Sequence, residues 1–301
     1  MTQKAQAHVR REHVPLGIAY MIGATVLFSA AGAITKWAVS LYPVGEVGFI
    51  RQVFSTLLCT AMILPRTGLA VFRTTRPGAH VARGVTQFIS QMCLIIALTM
   101  MPLGAAMSIS FAAPLFAVLI AVVFFRERIG IHRAIALVVG FVGVLLITEP
   151  QGGAVQLGAM FALLNAIIYA SVTVAVRRMS ATESADTLTM YQMVALTLLM
   201  AMLLPLGFVT PTWMDLGLLA ICGLSNGLGQ FWWTNALSLA PASAIMPFYY
   251  LSLAWAIVFG FVIWGDVPSQ SLWAGAGVIV VSGLYLIWRE TTDRKRGARV
   301  K

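Results

Sequence analysis

Residues 91–105 read QMCLIIALTMMPLGA, and residues 230–244 read QFWWTNALSLAPASA. Both stretches carry a glutamine, an Ala-Leu pair, a proline and an alanine at the same spacing, so Gln91 corresponds to Gln230 at a shift of 139 residues. Other matches at shifts of 139 to 141 residues are Leu16-Gly17 with Leu157-Gly158, Lys36 with Arg177, Glu127 with Asp266, and Gly143 with Gly283. The order and the near-constant shift of these matches indicate an internal repeat.

The composition around the repeat excludes a soluble protein. Of the 301 residues, 59% are hydrophobic and only 10% are charged, whereas soluble proteins have about 25% charged residues. So few charges cannot cover the surface of a soluble chain of this length, so we expect a lipid bilayer to surround it. The apolar runs are continuous and do not alternate with polar residues, which excludes a membrane β-barrel.

Ten apolar stretches are long enough to cross a membrane as helices, for which roughly 20 residues are needed. They lie at residues 16–40, 45–64, 82–101, 103–125, 132–148, 156–176, 187–207, 214–240, 242–264 and 268–288. Each repeat holds five of them, and because five is odd, the second repeat crosses the membrane in the opposite sense. The predicted fold is therefore an all-α polytopic membrane protein of two inverted five-helix repeats, a recurrent transporter design.

The same pattern predicts four segments. Residues 1–15 form an N-terminal tail, 16–148 the first repeat, 156–288 the second repeat, and 289–301 a basic tail. Of the 20 basic residues, 18 lie in the tails and in the connections that share a side with them. Basic residues collect on the cytoplasmic side, so both termini are predicted to be cytoplasmic in a plasma membrane. Because these charges are scattered between apolar segments, the net charge of +10 does not indicate nucleic-acid binding.

Two motifs resemble a known family. Ala-Leu-x3-Pro-x2-Ala, at 97–105 and again at 236–244, is followed by an apolar helix and an acid, Glu127 or Asp266. This resembles the EamA repeat of the ten-helix drug/metabolite transporter superfamily, and Arg51 lies where that family usually has an arginine. The length and the aromatic second half most resemble YddG-like exporters of aromatic amino acids. The resemblance implies a transporter and no enzyme. In the second repeat Tyr191 and Gln192 replace a counterpart of Arg51.

Polar side chains inside the spans are candidates for a solute cavity, because they are costly in hydrocarbon. Gln87 and Gln91 lie four residues apart on one helical face, and their counterparts Asn226 and Gln230 have the same spacing. Amides offer donors and acceptors without charge, which suits a zwitterion or a neutral polar solute. The alternative is that these amides form hydrogen bonds between helices.

Aromatic residues extend this candidate site. Trp233 lies seven residues after Asn226, Tyr249 follows Pro247, and Asn165 and Tyr169 form another polar stripe. They are predicted to line the cavity, with packing or an interfacial position as the alternative. Arg51 either binds a solute carboxylate or extends its charged end to the membrane surface.

Several absences limit the function. We expect no span to contain a carboxylate or a histidine, so a proton relay is not expected. No ATP-binding or metal-binding motif is found, and Cys59, Cys93 and Cys222 lack metal-ligand spacing. We therefore predict no cofactor and no metal. The prediction is a metabolite exporter, with amino acids and especially aromatic ones as solutes. A drug or lipid flippase, or a lipid enzyme built around His80 and His132, are the alternatives.

Glycines predict close helix packing in the last helix of each repeat. They lie at positions 140, 143, 275, 277 and 283, and small residues let helices approach in membranes. We expect these two helices to pack closely and to support a homodimer.

Overall fold

A computed structural model describes residues 13–299 except 114, 117–118, 121–130, 149–152, 180–181, 241–244 and 246–247. Within these residues every regular element is helical. The helices are α1 (Val14–Ala38), α2 (Val44–Thr67), α3 (Pro77–Met100), α4 (Leu103–Ser110), α5 (Ile131–Thr148), α6 (Gly153–Met179), α7 (Ala185–Ala201), α8 (Trp213–Leu239), α9 (Leu251–Trp264) and α10 (Gln270–Arg299). Short 3-10 helices cover Gly68–Phe72 and Leu204–Leu206. The last helix thus continues through most of the predicted basic tail.

The apolar helices and the apolar outer surface of the bundle are those of a membrane protein. Five segments are long and apolar enough to cross a membrane: Val14–Ala38, Val44–Phe72, Pro77–Met100, Val155–Val176 and Ala185–Leu206. Large apolar side chains on the outside of the bundle stay exposed, as Val262 (71%) and Met160 (63%) illustrate. In water such a surface would be unfavourable, but lipid tails solvate it. The membrane architecture agrees with the prediction from the sequence.

The packing of the helices has two-fold symmetry. Helix α1 packs on α8 and α9, while its counterpart α6 packs on α3 and α4, the counterparts of α8 and α9. Likewise α2 packs on α8 and α7 packs on α3. Helices α2, α4 and α5 each contact their own counterparts, α7, α9 and α10. The two repeats are therefore interlocked around one pseudo-two-fold axis.

The two repeats have opposite orientations. Gly45 near the start of α2 contacts Leu203 beyond the end of α7, and Thr56, further along α2, bonds Thr197 within α7 at 2.8 Å. Helix α2 is therefore antiparallel to its own counterpart. This confirms the predicted inverted repeat.

Matched glycines explain part of the sequence repeat. A Cβ atom on Gly17 in α1 would lie 3.5 Å from the carbonyl oxygen of Ala236 in α8. A Cβ atom on Gly158 in α6 would lie 3.5 Å from the carbonyl oxygen of Ala97 in α3. Both pairs occupy equivalent positions in the two repeats, so the repeated small residues allow equivalent close helix crossings.

The prediction of continuous fourth and ninth helices is wrong. Helix α4 ends at Ser110 and a turn follows at Phe111 and Ala112, while α9 begins at Leu251 after a turn at Tyr250. The sequence has Pro114 four residues after Ser110, and a proline there cannot donate to that carbonyl group. The two breaks are equivalent in the repeats, and the rings of Phe111 and Tyr250 meet at 5.6 Å between centroids.

The helix ends form two faces of the bundle. Face A holds the α1–α2, α7–α8 and α9–α10 connections, which are joined by Lys36–Asp266, by Tyr42–Asp215 and by the bond from the Val209 amide to Glu46. Face B holds the α2–α3 and α6–α7 connections, joined by the bond from Thr74 to Glu183. Glu46 lies in the first turn of α2 and is fully buried.

We predict that substitution of Gly143 by alanine destabilises the protein, whereas the same substitution at Gly277 does not. A Cβ atom on Gly143 in α5 would lie 2.9 Å from the backbone oxygen of Gly275 in α10, and one on Gly277 would meet nothing within 4 Å. Overpacking costs about 1–3 kcal/mol. Thermal unfolding midpoints in detergent measure both effects. Equal midpoints for Gly143→Ala and Gly277→Ala would contradict the prediction.

Candidate functional site

A small polar cavity lies between α3, α6, α7 and α8. Its lining includes four of the residues predicted from the sequence, Gln87, Tyr169, Gln230 and Trp233, together with Arg83, Val172, Thr173, Val176 and Gln192. Its volume is about 10 Å³, which is near the minimum for one water molecule. A molecule larger than water would therefore fit only if the lining helices move apart.

Two of the predicted amides face this cavity with few partners. Gln87 is 9% exposed, and the Nε2 group of Gln230 donates only a long bond of 3.4 Å to Thr234 within its own helix. Gln91 was expected in the same cavity but is not part of its lining, and its Oε1 atom has no partner among the described residues. It lies one helical turn deeper than Gln87.

The other two amides hold helices together. Oδ1 of Asn165 accepts a bond from Ser90 at 2.7 Å, and its Nδ2 donates to Ser110 at 3.0 Å, which joins α6 to α3 and α4. Nδ2 of Asn226 donates to Ser55 at 3.1 Å, which joins α8 to α2. For Asn226 the structure favours the alternative of interhelical hydrogen bonding, and Asn165, predicted to line the cavity, forms interhelical bonds as well.

Aromatic rings form one side of the cavity. Trp233 is 6% exposed, and its indole N–H has no acceptor among the described residues. Tyr169 also lines the cavity and is hydrogen-bonded to Tyr249, which lies behind it against Phe111, with ring centroids 5.3 Å apart. The wall therefore connects the cavity to the breaks in α4 and α9.

Arg83 is the site residue that sequence reasoning missed. It was counted among the cytoplasmic basic residues, but it lies in the second turn of α3, is 5% exposed and borders the cavity. Its NH1 group donates to the Leu188 carbonyl at 2.8 Å and its NH2 group to Oε1 of Gln192. The spacing could have revealed it, because Arg83 lies four residues before Gln87 and hence on the same helical face.

Arg51 is also enclosed by protein. It is 6% exposed, and its NH1 group donates to Thr35 at 3.3 Å, while its Nε and NH2 groups have no partner among the described residues. Of the two alternatives for Arg51, the structure therefore does not favour extension of its charged end to the membrane surface. It lies toward face A and is not part of the cavity lining.

The pseudo-two-fold axis relates the surroundings of the two arginines. Thr35 contacts both Arg51 in α2 and Cys222 in α8, at 3.3 and 3.4 Å. At the repeat shift, Gln192 corresponds to Arg51 and Arg83 corresponds to Cys222. Arg83 and Gln192 are in contact at the equivalent crossing. Each face thus has one arginine at this crossing, carried by α2 near face A and by α3 near face B.

Contacts close face B beneath the cavity. Nε2 of His80 lies 4.0 Å from Oε1 of Glu183, and its ring stacks on Tyr191 at 4.1 Å. Glu183 accepts from Thr74 at 2.6 Å, and Tyr191 donates to the Phe72 carbonyl at 2.7 Å. The expectation that no span contains a histidine or a carboxylate is wrong, since α3 contains His80 and α2 contains Glu46. In the described part of the chain no group of acidic, histidine and cysteine side chains is suited to a metal ion.

Face A is closed by a different set of contacts. Lys36 pairs with Asp266 at 3.1 Å and lies 4.5 Å above the ring of Trp264. The Tyr42 hydroxyl donates to Asp215 at 2.5 Å, and this bond to a carboxylate raises the pKa of Tyr42. Glu127, the repeat counterpart of Asp266, lies outside the described residues. Polar contacts therefore join connections at both faces of the bundle.

Comparisons with known proteins agree with this architecture. The model of the EamA-like transporter family matches residues 15–149 and 156–289. The chain is 28% identical to a riboflavin transporter of Rhizobium johnstonii over 94% of each chain. It is 27% identical to an S-adenosylmethionine uptake transporter of Rickettsia conorii, over 93% of this chain and 95% of that protein.

Two further comparisons cover most of the chain. A pseudopaline exporter, CntI, of Pseudomonas aeruginosa is 29% identical over 90% of this chain and 95% of that protein. One solved crystal structure of a protein matches with a TM-score of 0.65 at 20% identity, over 89% of this chain and 95% of that chain. At that identity the solved structure supports the fold alone.

We predict that replacement of Asn165 lowers stability, whereas replacement of Gln87 lowers transport. Asn165→Leu removes two interhelical bonds and should lower the unfolding free energy, since such bonds are worth about 0.6–1.7 kcal/mol each in membranes. Gln87→Leu removes no comparable bond, so stability should be kept while transport in proteoliposomes falls. Thermal midpoints and solute flux measure the two effects. A Gln87→Leu variant as unstable as Asn165→Leu would assign Gln87 to helix packing.

Proposed function

Because the chain belongs to the EamA-like transporter family of the drug/metabolite transporter superfamily, we propose that it exports amino acids, aromatic ones above all, by alternating access. The same matches show that the protein is a membrane transporter of small molecules and is not an enzyme. The cavity between the two repeats is the observation that supports the proposed transport of aromatic amino acids.

Alternating access fits the symmetry of the bundle. The two proposed halves are residues 16–148 and 156–288, and each contributes helices to both faces. The α1–α8 and α6–α3 crossings are equivalent in the two repeats. Opening the bundle at face A and opening it at face B are therefore equivalent motions, with one central site between them. The broken helices α4 and α9 meet at the axis, where discontinuous helices commonly border solute sites.

The chemistry of the cavity supports a solute with one polar end and one ring. Gln87, Gln192 and Gln230 supply amide groups, and Trp233 and Tyr169 supply aromatic surface. The solutes named for the relatives fit this description in part, because riboflavin and S-adenosylmethionine each carry a flat heteroaromatic ring and polar groups. Those relatives include uptake transporters and an exporter, so the proposed direction rests on the likeness to aromatic amino-acid exporters.

A second candidate is the movement of apolar drugs or lipids. An apolar crevice of about 180 Å³ lies between α5 and the residues that follow α4, lined by Leu115, Phe116, Phe141 and neighbouring apolar side chains. Exposed Val138 and Phe141 place it on the outer surface of the bundle. A flippase needs such a lateral opening, so fluorescent lipids and cationic drugs belong in the same transport panel as amino acids.

We also propose that face B and both termini are cytoplasmic in a plasma membrane, in keeping with the distribution of basic residues. Cysteine at Val267 on face A, which is 77% exposed, should react with an impermeant maleimide in intact cells. Cysteine at Leu69 on face B, which is 75% exposed, should react only after permeabilisation. The native cysteines are buried, so background labelling should be low. The reverse pattern would reject this orientation.

Trp233→Ala should impair the transport of aromatic solutes more than that of small ones. Aromatic pairs contribute about 0.5–1.5 kcal/mol beyond area burial, so we expect the flux of tryptophan and phenylalanine to fall several-fold more than that of threonine. Counterflow in proteoliposomes measures the ratio. Trp273→Ala is the matched control, because Trp273 is 59% exposed on the outside of α10. Equal losses for all solutes would assign Trp233 to packing, and no flux of any amino acid would reject this cargo.

A further inference from the structure

The cavity holds one positive charge and no negative one. Among its lining residues only Arg83 is charged, and it takes part in neither the Lys36–Asp266 ion pair nor the His80–Glu183 contact. Its partners are neutral oxygens of Leu188 and Gln192. Its Nε group has no partner among the described residues. A guanidinium at 5% exposure is therefore buried without a counter-charge.

A buried charge without a counter-charge is unfavourable in a low-dielectric interior. If Arg83 served only to join α3 to α7, a neutral donor would do so at lower cost in free energy. The guanidinium becomes favourable when an anion occupies the cavity, because its planar N–H groups bind a carboxylate with directed, charge-assisted bonds. One guanidinium matches the single charge of a carboxylate better than the larger charge of a phosphate.

We infer that Arg83 binds the carboxylate group of the transported solute, with Gln192 holding the guanidinium in position. The amides of Gln87 and Gln230 border the same cavity and can bond to the remaining polar groups of the solute. Trp233 then faces the rest of the molecule. This inference rests on the proposed function, because it takes the cavity to be the transport site.

Arg51 repeats the same arrangement near face A. It too is buried, it lacks a carboxylate partner among the described residues, and two of its nitrogen groups have no acceptor there. The pseudo-two-fold axis relates its contact region to that of Arg83, so both sides of the centre present one uncompensated cation. A solute carboxylate would thus meet a guanidinium from either side of the membrane.

The first experiment measures binding to the purified full chain. The probes share an indole ring: tryptophan and indole-3-propionate carry a carboxylate, and tryptamine does not. We expect the two carboxylates to raise the thermal midpoint and tryptamine to have little effect. In Arg83→Gln the affinity for both carboxylates should fall about 10-fold to 100-fold, the range that loss of a charged hydrogen bond produces. Arg66→Gln removes the same charge from an exposed position at the end of α2 and should change nothing.

A second variant tests the site without removing the arginine. Gln192→Glu has nearly the same shape and can accept the same bond from Arg83, but it supplies an internal counter-charge. The inference predicts a fold at least as stable as the original and at least a 10-fold loss of carboxylate affinity, because the guanidinium is already paired. If Arg83 only joins α3 to α7, carboxylate affinity in Gln192→Glu would be unchanged.

The outcomes separate this inference from the proposed function. If no carboxylate stabilises the intact protein more than tryptamine does, or if Gln192→Glu keeps full affinity, Arg83 is not the carboxylate site, whatever solute is transported. Transport of tryptophan and tryptamine at equal rates would overturn the inference and leave transport of aromatic solutes standing. Carboxylate-dependent stabilisation without any amino-acid flux would support the inference while rejecting the proposed cargo.

Discussion

The close crossing of the first helix of each repeat with the third helix of the other is the constraint on which the structure depends. Gly17 and Gly158 allow α1 and α6 to reach the backbones of α8 and α3. In a bilayer, lipid tails solvate apolar surfaces as well as another helix does, so close van der Waals contact and interhelical hydrogen bonds hold helices together. Because each repeat packs mainly on the other, neither contains a complete core, and the polar faces of α3 and α8 are turned toward the centre.

The polar residues near that centre fall into two groups, those with hydrogen-bond partners and those without. Asn165 and Asn226 form hydrogen bonds with serines of neighbouring helices. Arg83 and Trp233 keep unpartnered groups among the described residues, and both border the cavity. An unpartnered buried group costs free energy that packing does not return. A solute in the cavity could satisfy the unpartnered groups of Arg83 and Trp233, and this supports a solute site there.

The sequence predicted the helices and the inverted repeat well, because apolar runs and repeated small residues are local signals. It predicted that Gln87 and Gln230 share a cavity from the repeat, and that Trp233 and Tyr169 join them from their helical spacing to other polar residues. It failed for Arg83, whose burial depends on Leu188 and Gln192, more than 100 residues away in the chain. It also placed Gln91 in the cavity, although Gln91 lies one helical turn beyond Gln87 and is not part of the lining. The breaks after Ser110 and at Tyr250 were missed because a long apolar run does not reveal where its hydrogen bonds stop.

The departures from symmetry matter as much as the symmetry. If both repeats carried arginine at the position of Arg51 and at that of Arg83, two cations would face each other at each crossing, and their repulsion in a low dielectric would oppose packing. Each crossing instead pairs one arginine with one uncharged residue, Cys222 beside Arg51 and Gln192 beside Arg83. The partners differ: an amide orients a guanidinium by accepting its bond, whereas a thiol is a weak acceptor. Arg83 therefore has an amide acceptor, whereas two nitrogens of Arg51 have no partner among the described residues. Equivalent backbone positions thus present the same charge with different hydrogen-bond partners on the two sides of the centre.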